Sequence, residues 1–185
     1  MPHFLPAVRA INTFKEQIGE RIRKTLRPYD KDLNDLGVAS STISKLHFVP
    51  VPGGEEEPLC VQIKNSGSCF YIYVDLEPDD QPTPTLEVGF WLWTPAASDR
   101  KELYSALRAA WTADGFETDE QERTVFIVVH VDLQENFPDF EPVLQKLIPH
   151  VIKGLKAIDF VRRFGPGFAK RRVALAGDKG ESPAE

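Results

Sequence analysis

Apolar residues recur every three or four positions in the N-terminal part of the chain and predict an amphipathic helix. The apolar positions run from Phe4 to Leu26, and basic residues dominate the positions between them. This spacing places the apolar side chains on one face of a helix. Pro28 has no backbone N–H and ends the pattern. We therefore expect a helix over residues 4–27, followed by a polar connector over residues 29–41.

Extended, alternating patterns follow the connector and predict β-strands at residues 43–51, 59–64, 69–77 and 85–93. Short polar breaks with glycine, proline or asparagine separate these runs, and such breaks favour antiparallel pairing of consecutive strands. A further run at residues 123–132 is apolar on both faces, which is typical of a strand inside a sheet. The pattern predicts a meander with one additional inner strand.

Two more helices complete the predicted order of elements. The middle helix begins near Ser98 and ends at Gly115, and a C-terminal helical region covers about residues 139–164. Pro149 lies inside that region and is expected to break or kink the helix after Ile148. The predicted fold is α+β in the order α-ββββ-α-β-α, with a mainly antiparallel sheet of about five strands and N-terminal, middle and C-terminal helices.

The length of 185 residues and the balance of apolar and charged residues are typical of one globular domain. We expect a single domain over residues 1–168 and a disordered tail, first basic and then polar, over residues 169–185. The chain has no apolar run of membrane-spanning length and no visible secretory signal. On these grounds we expect a cytoplasmic protein.

The two cysteines, Cys60 and Cys69, flank a polar turn at residues 65–68. A four-residue hairpin loop there would place Lys64 opposite Cys69 and Cys60 opposite Tyr73. The cysteines would then be offset by about 13 Å along the strands. A disulfide requires Cα atoms within about 7 Å, so we predict two reduced thiols.

Alternation divides the predicted sheet into two unlike faces, because residues two apart on a strand share a face. The aliphatic face contains Leu59, Val61, Ile63, Phe70, Ile72, Val74, Leu76, Leu86, Val88, Phe90 and Leu92. The opposite face, here called the aromatic–acidic face, contains Cys60, Gln62, Lys64, Tyr71, Tyr73, Asp75, Glu87, Trp91 and Trp93. We expect the helices to cover the aliphatic face.

Tyrosine and tryptophan combine a large contact area with a polar group and are enriched at recognition sites. The aromatic–acidic face is therefore the candidate partner-binding surface. Its candidate contact residues are Tyr71, Tyr73, Asp75, Glu87, Trp91 and Trp93. The alternative is that the first helix covers this face and that its rings form a second core.

Two carboxylates on this face are the candidate metal ligands. If Glu77 lies near Thr85, Asp75 falls opposite Glu87. Facing carboxylates destabilise a sheet unless a cation relieves their repulsion. Lys64 or a bound divalent metal would supply that positive charge.

The tripeptide Gln62-Ile63-Lys64, together with the order of elements, resembles the PD-(D/E)xK nucleases, some of which carry glutamine in place of the acidic residue. The resemblance implies that Lys64 positions the attacking water and that Asp75 and Glu87 hold Mg²⁺ for phosphodiester hydrolysis. The chain departs from the family pattern because no Pro-Asp precedes Gln62 and an extra strand comes before the next helix. This nuclease is the alternative enzymatic hypothesis.

Charge is distributed unevenly along the chain, whose formal net charge is −6. Residues 1–27 carry +4 and residues 150–172 carry +6, whereas residues 28–149 carry −14. Basic residues near the C-terminus are candidate nucleic-acid contacts: Arg162, Arg163, Lys170, Arg171 and Arg172. The acidic middle of the chain instead favours a partner with a basic protein surface.

The favoured hypothesis is a non-catalytic protein-binding module without a cofactor that uses the aromatic–acidic face. In size, charge and order of elements the chain is similar to immunity proteins, which neutralise basic toxins, and to secretion chaperones, which hold effectors. The alternatives are the Mg²⁺-dependent nuclease and a nucleic-acid-binding accessory protein. A homodimer is left open, and a membrane partner is not expected.

Overall fold

A computed structural model of the chain describes residues 4–48, 59–65, 67–75, 85–93, 97–111, 116–121, 124–132 and 139–164. The helices are α1 (Phe4–Leu26), α2 (Asp30–Asp35), α3 (Ala97–Trp111), α4 (Glu141–Ala157) and α5 (Phe160–Phe164), with a 3₁₀ turn at Arg27–Tyr29. The strands are β1 (Lys45–Phe48), β2 (Leu59–Lys64), β3 (Ser68–Asp75), β4 (Thr85–Trp93), β5 (Glu117–Gln121) and β6 (Thr124–Asp132). The predicted tail, residues 169–185, lies outside the described residues.

The strands form one six-stranded antiparallel sheet in the order β1-β2-β3-β4-β6-β5. The α+β class and the meander of the first four strands are confirmed, and β6 is an inner strand as predicted. The strand count of about five was one too low, because β5 was missed. Its sequence, Glu-Thr-Asp-Glu-Gln, is entirely polar and lacks the apolar alternation by which strands are recognised.

The helical predictions need two corrections. The chain does not enter a plain connector after α1, since Pro28 lies in the 3₁₀ turn and the short helix α2 follows. Of the break or kink predicted at Pro149, the break is wrong, because α4 continues to Ala157. Pro149 is on the exposed side of the helix, so the backbone bond that it removes lies towards solvent. The chain turns only at Asp159, whose φ is +54°.

The core lies between the helices and the aliphatic face of the sheet. Buried residues from both layers form one cluster that includes Ile18, Ile22, Leu103, Leu107, Leu144 and Val151 from the helices and Val61, Ile63, Phe70, Ile72, Val88 and Phe90 from the strands. Leu76 lies outside the described residues, as does the side chain of Leu59. The helices therefore cover the aliphatic face as predicted.

Two close contacts fix the helices in this layer. The indole of Trp111 packs against Gly154 of α4, where any Cβ would overlap it, and it meets the Phe90 ring edge-on at 6.1 Å between centroids. Arg21 of α1 donates from Nε and Nη2 to the two carboxylate oxygens of Glu141 at 2.5 Å each. In the described residues, no helix has both the length and the apolar character needed to cross a membrane.

Candidate functional site

The aromatic–acidic face of the sheet is concave and open. It forms a depression of about 710 Å³, within the usual size range of ligand sites. The described residues that line it all come from strands: Cys60, Gln62, Tyr71, Tyr73, Glu87, Trp91, Glu117, Asp119, Thr124, Phe126, Val128 and His130. Helix α1 packs elsewhere, because Ile18, Ile22 and Leu26 belong to the core on the aliphatic side. In the described part of the chain, the first helix does not cover the rings.

Strand pairing arranges these side chains in rows across the sheet, since residues directly opposite in antiparallel strands share a face. The first row is Cys60, Tyr73, Glu87 and His130. The second row is Gln62, Tyr71, Gly89, Val128 and Glu117. The third row is Lys64, Cys69, Trp91, Phe126 and Asp119. Rings therefore occupy the middle strands, and carboxylates occupy β4 and the edge strand β5.

Tyr71 forms part of the floor of the depression. Its ring lies over Gly89, where a Cβ would overlap it, and its hydroxyl donates a hydrogen bond to Oε1 of Glu87. Burial raises the pKa of Tyr71 far above its usual value of 10, and the charge and hydrogen bond of Glu87 raise it further. The phenol therefore remains protonated and acts as a donor.

The two thiols are reduced, as predicted, and the predicted register around them is confirmed. Lys64 pairs with Cys69, and Cys60 pairs with Tyr73. Burial raises the pKa of Cys60, and it raises that of Cys69 strongly. Because the thiolate is the reactive form, neither thiol is an activated nucleophile at neutral pH.

The tryptophans differ in exposure. Trp91 is half-buried in the floor, Trp93 at the end of β4 is 43% exposed, and Trp111 is fully buried in the core. Of the predicted contact residues, the structure brings Tyr71, Tyr73, Glu87 and Trp91 together in the depression. Trp93 lies one row beyond, opposite Thr124.

The conditional pairing of Asp75 with Glu87 is wrong. Glu87 lies opposite Tyr73, and the backbone of Asp75 pairs with Thr85. In this register Phe70 lies opposite Phe90 in the core, with ring centroids 4.6 Å apart. Asp75 and Glu87 are therefore offset by two residues along the paired strands. The side chain of Asp75 lies outside the described residues.

The nuclease residues do not converge in the structure. Gln62 donates a weak hydrogen bond to Cys60 Sγ at 3.6 Å, and Lys64 lies two strands and two rows away from Glu87. The Glu87 carboxylate instead accepts from Tyr71. Among the described residues, no group of three histidine, cysteine or acidic side chains is placed to hold a metal ion.

The candidate nucleic-acid residues that the structure describes are both engaged in ion pairs. Arg163 Nη2 contacts Glu102 Oε1 of α3 at 2.8 Å, and Arg162 pairs with Asp159. Lys170, Arg171 and Arg172 lie outside the described residues. Arg163 thereby links α5 to α3 of the helical layer, on the opposite side of the sheet from the depression, whereas the Arg162 pair is local to the start of α5.

The sequence reasoning missed the contribution of β5 and β6 to the site. Glu117 and Asp119 alternate along β5, and Phe126 lies beside them on β6. The polar sequence of β5 carries no apolar alternation that could have revealed this contribution.

No protein-family model matches the chain, and no curated protein matches it at a significant level. Among solved structures, the chain is similar to the crystal structure of YbjN from E. coli, a proposed transcription regulator, with a TM-score of 0.37 and 16% sequence identity. The match covers 72% of this chain and 93% of the YbjN chain.

Proposed function

We propose that this protein is a non-catalytic binding module whose aromatic–acidic face holds a cationic segment of a protein partner. The observation that carries the proposal is the open, ring-lined depression with carboxylates on two of its strands. A sheet face that is only solvated does not need large aromatic side chains, whereas recognition sites use them as anchors.

The rings sit on rigid elements. Tyr71, Tyr73, Trp91 and Phe126 project from β3, β4 and β6, three of the four inner strands, and neighbouring strands among these three pair along most of their length. Side chains on paired strands lose little freedom when a partner binds, so less of the contact energy is spent on ordering them. The same rings attract cations through their faces.

Charged side chains are distributed unevenly across the aromatic–acidic face. Glu87, Glu117 and Asp119 lie towards the β4 and β5 side, whereas Lys45 and Lys64 lie towards the β1 and β2 side. A basic segment is therefore attracted to the β5 side and repelled from the β1 side. The charge of −14 over residues 28–149 adds a longer-range attraction that speeds association.

The test is a fluorescence anisotropy titration of the full chain with labelled decapeptides of one scaffold in basic, neutral and acidic versions. We expect the basic decapeptide to bind most tightly, with an affinity that falls as salt concentration rises. Trp91→Ala should weaken binding by about tenfold or more, because it removes a ring from the centre of the face.

Val161→Ala is the control, since it truncates an exposed apolar side chain on α5 away from the depression. Equal binding of the three decapeptides would contradict the proposal. So would unchanged affinity of a folded Trp91→Ala variant for the basic decapeptide.

A further inference from the structure

We infer that the corner of the depression formed by β4, β6 and β5 is a subsite for one arginine side chain. This inference rests on the proposed function and names the chemistry of the cation. The subsite consists of Trp91, Phe126, Asp119 and Glu117.

Strand register places the first three of these residues side by side. Trp91 lies opposite Phe126, and Phe126 lies opposite Asp119. Neighbouring strands are about 4.8 Å apart, so Trp91 and Asp119 are separated by about 10 Å with the Phe126 ring between them. A planar cation stacked on Phe126 would have a second ring on one side and a carboxylate on the other.

Glu117 extends the acidic edge of this corner. It lies two residues before Asp119 on β5, on the same face and about 7 Å away, and it pairs with Val128. Both carboxylates are exposed. A guanidinium with several N–H groups can donate to one or both of them while its plane covers the apolar surface.

The two faces of β5 differ in how their carboxylates are paired. Glu120 points to the opposite face and lies 3.5 Å from Nε of Arg100 on α3. Among the residues that the structure describes, Asp119 accepts only the backbone N–H of Glu120, at 2.7 Å, and neither Asp119 nor Glu117 forms an ion pair. Within the part of the chain that the structure describes, the carboxylate on the helix side therefore has a cationic partner and those in the depression have none, which suits them to an external cation.

Arginine fits this corner better than lysine. Its guanidinium is planar, stacks on aromatic rings and forms paired hydrogen bonds with a carboxylate. The ammonium of lysine is a compact, strongly hydrated point charge and gains less from a flat ring beside a carboxylate. The subsite therefore favours a cation that is planar as well as positively charged.

The experiment is an NMR titration of the full chain with argininamide and with lysinamide, following the indole N–H resonance of Trp91. We expect argininamide to shift this resonance saturably and to bind about tenfold or more tightly than lysinamide. Asp119→Asn should weaken argininamide binding to a similar degree. Asp35→Asn is the matched control, because Asp35 is an exposed carboxylate on α2 whose partner is Lys31.

Phe126→Leu supplies a second variant, which keeps an apolar side chain in the row and removes the ring. Weaker argininamide binding by a folded Phe126→Leu variant supports stacking. Equal affinities for the two amides would overturn the arginine subsite, as would unchanged argininamide binding by Asp119→Asn. The decapeptide titration decides the wider proposal separately, since a face that accepts any cation would still bind the basic decapeptide there.

Discussion

The ring of Tyr71 lies directly over the backbone of Gly89, so that its hydroxyl reaches Glu87, two residues before Gly89 on β4. Tyr71 on β3 and Gly89 on β4 are directly opposite each other in the paired strands. Only glycine leaves room for the ring in this position. In this position the Tyr71 hydroxyl holds one carboxylate of the depression in a hydrogen bond.

Gly89→Ala is expected to destabilise the protein, because the new Cβ would overlap the Tyr71 ring and force it to move. Overpacking of this kind costs about 1–3 kcal/mol of the free energy of unfolding. Urea denaturation measures the loss, and the displaced ring should also weaken binding of the basic decapeptide. Gly67→Ala is the matched control, since a Cβ there meets nothing within 4 Å. Equal stability of the two variants would show that Tyr71 moves at no cost.

Tyr71→Phe is expected to change how stability depends on alkaline pH. Burial, followed by the charge of Glu87, raises the pKa of Tyr71 in the folded protein. Above about pH 10 the unfolded chain therefore releases this proton while the folded protein retains it. The free energy of unfolding then falls with rising pH by up to about 1.4 kcal/mol per pH unit.

The measurement is urea denaturation of both proteins at pH 8 and at pH 11. At pH 8, the wild type should be more stable than Tyr71→Phe by about 1.5–3 kcal/mol, the value of a hydrogen bond to a charged group. That advantage should shrink at pH 11. Glu87→Gln should show an intermediate pH dependence, because burial of the phenol remains. An advantage that is constant with pH would contradict the raised pKa.

The three tryptophans should be distinguishable by fluorescence quenching. Trp93 is 43% exposed and Trp91 is half-buried, whereas Trp111 is fully buried. Acrylamide is the suitable quencher, because the carboxylates near the depression would repel iodide. We expect Trp93→Phe to remove most of the readily quenched emission. In the Trp91→Phe/Trp93→Phe double variant, the remaining emission should be quenched only slowly.

The basic decapeptide should protect Trp91 from acrylamide in the Trp93→Phe variant, where Trp91 is the accessible tryptophan that remains. Protection of Trp91 would place the peptide in the depression. Binding without any change in quenching would place the peptide on another surface.

Local sequence patterns were sufficient to predict which residues lie on each face of the central strands. Alternation separated Ile72 and Val88 from Tyr73 and Glu87, and the turn before Ser68 set the register of Cys60 and Cys69. These features are local, because the period of two and a short hairpin loop are fixed by neighbouring residues. The α+β class and the inner position of β6 followed from the same patterns.

Long-range contacts set the pairing of β5, the alignment of Asp75 and Glu87, and the continuation of α4 through Pro149. The polar edge strand β5 is held in the sheet by backbone hydrogen bonds to β6. Backbone hydrogen bonds do not depend on side-chain type, so the sequence of β5 shows no apolar pattern. Because the β3–β4 connection is long, it does not fix the register of these strands, and core contacts such as that of Phe70 with Phe90 set it instead. Asp119 lies opposite Phe126, with Glu117 on the same face, for the same reason: pairing between strands brings them together.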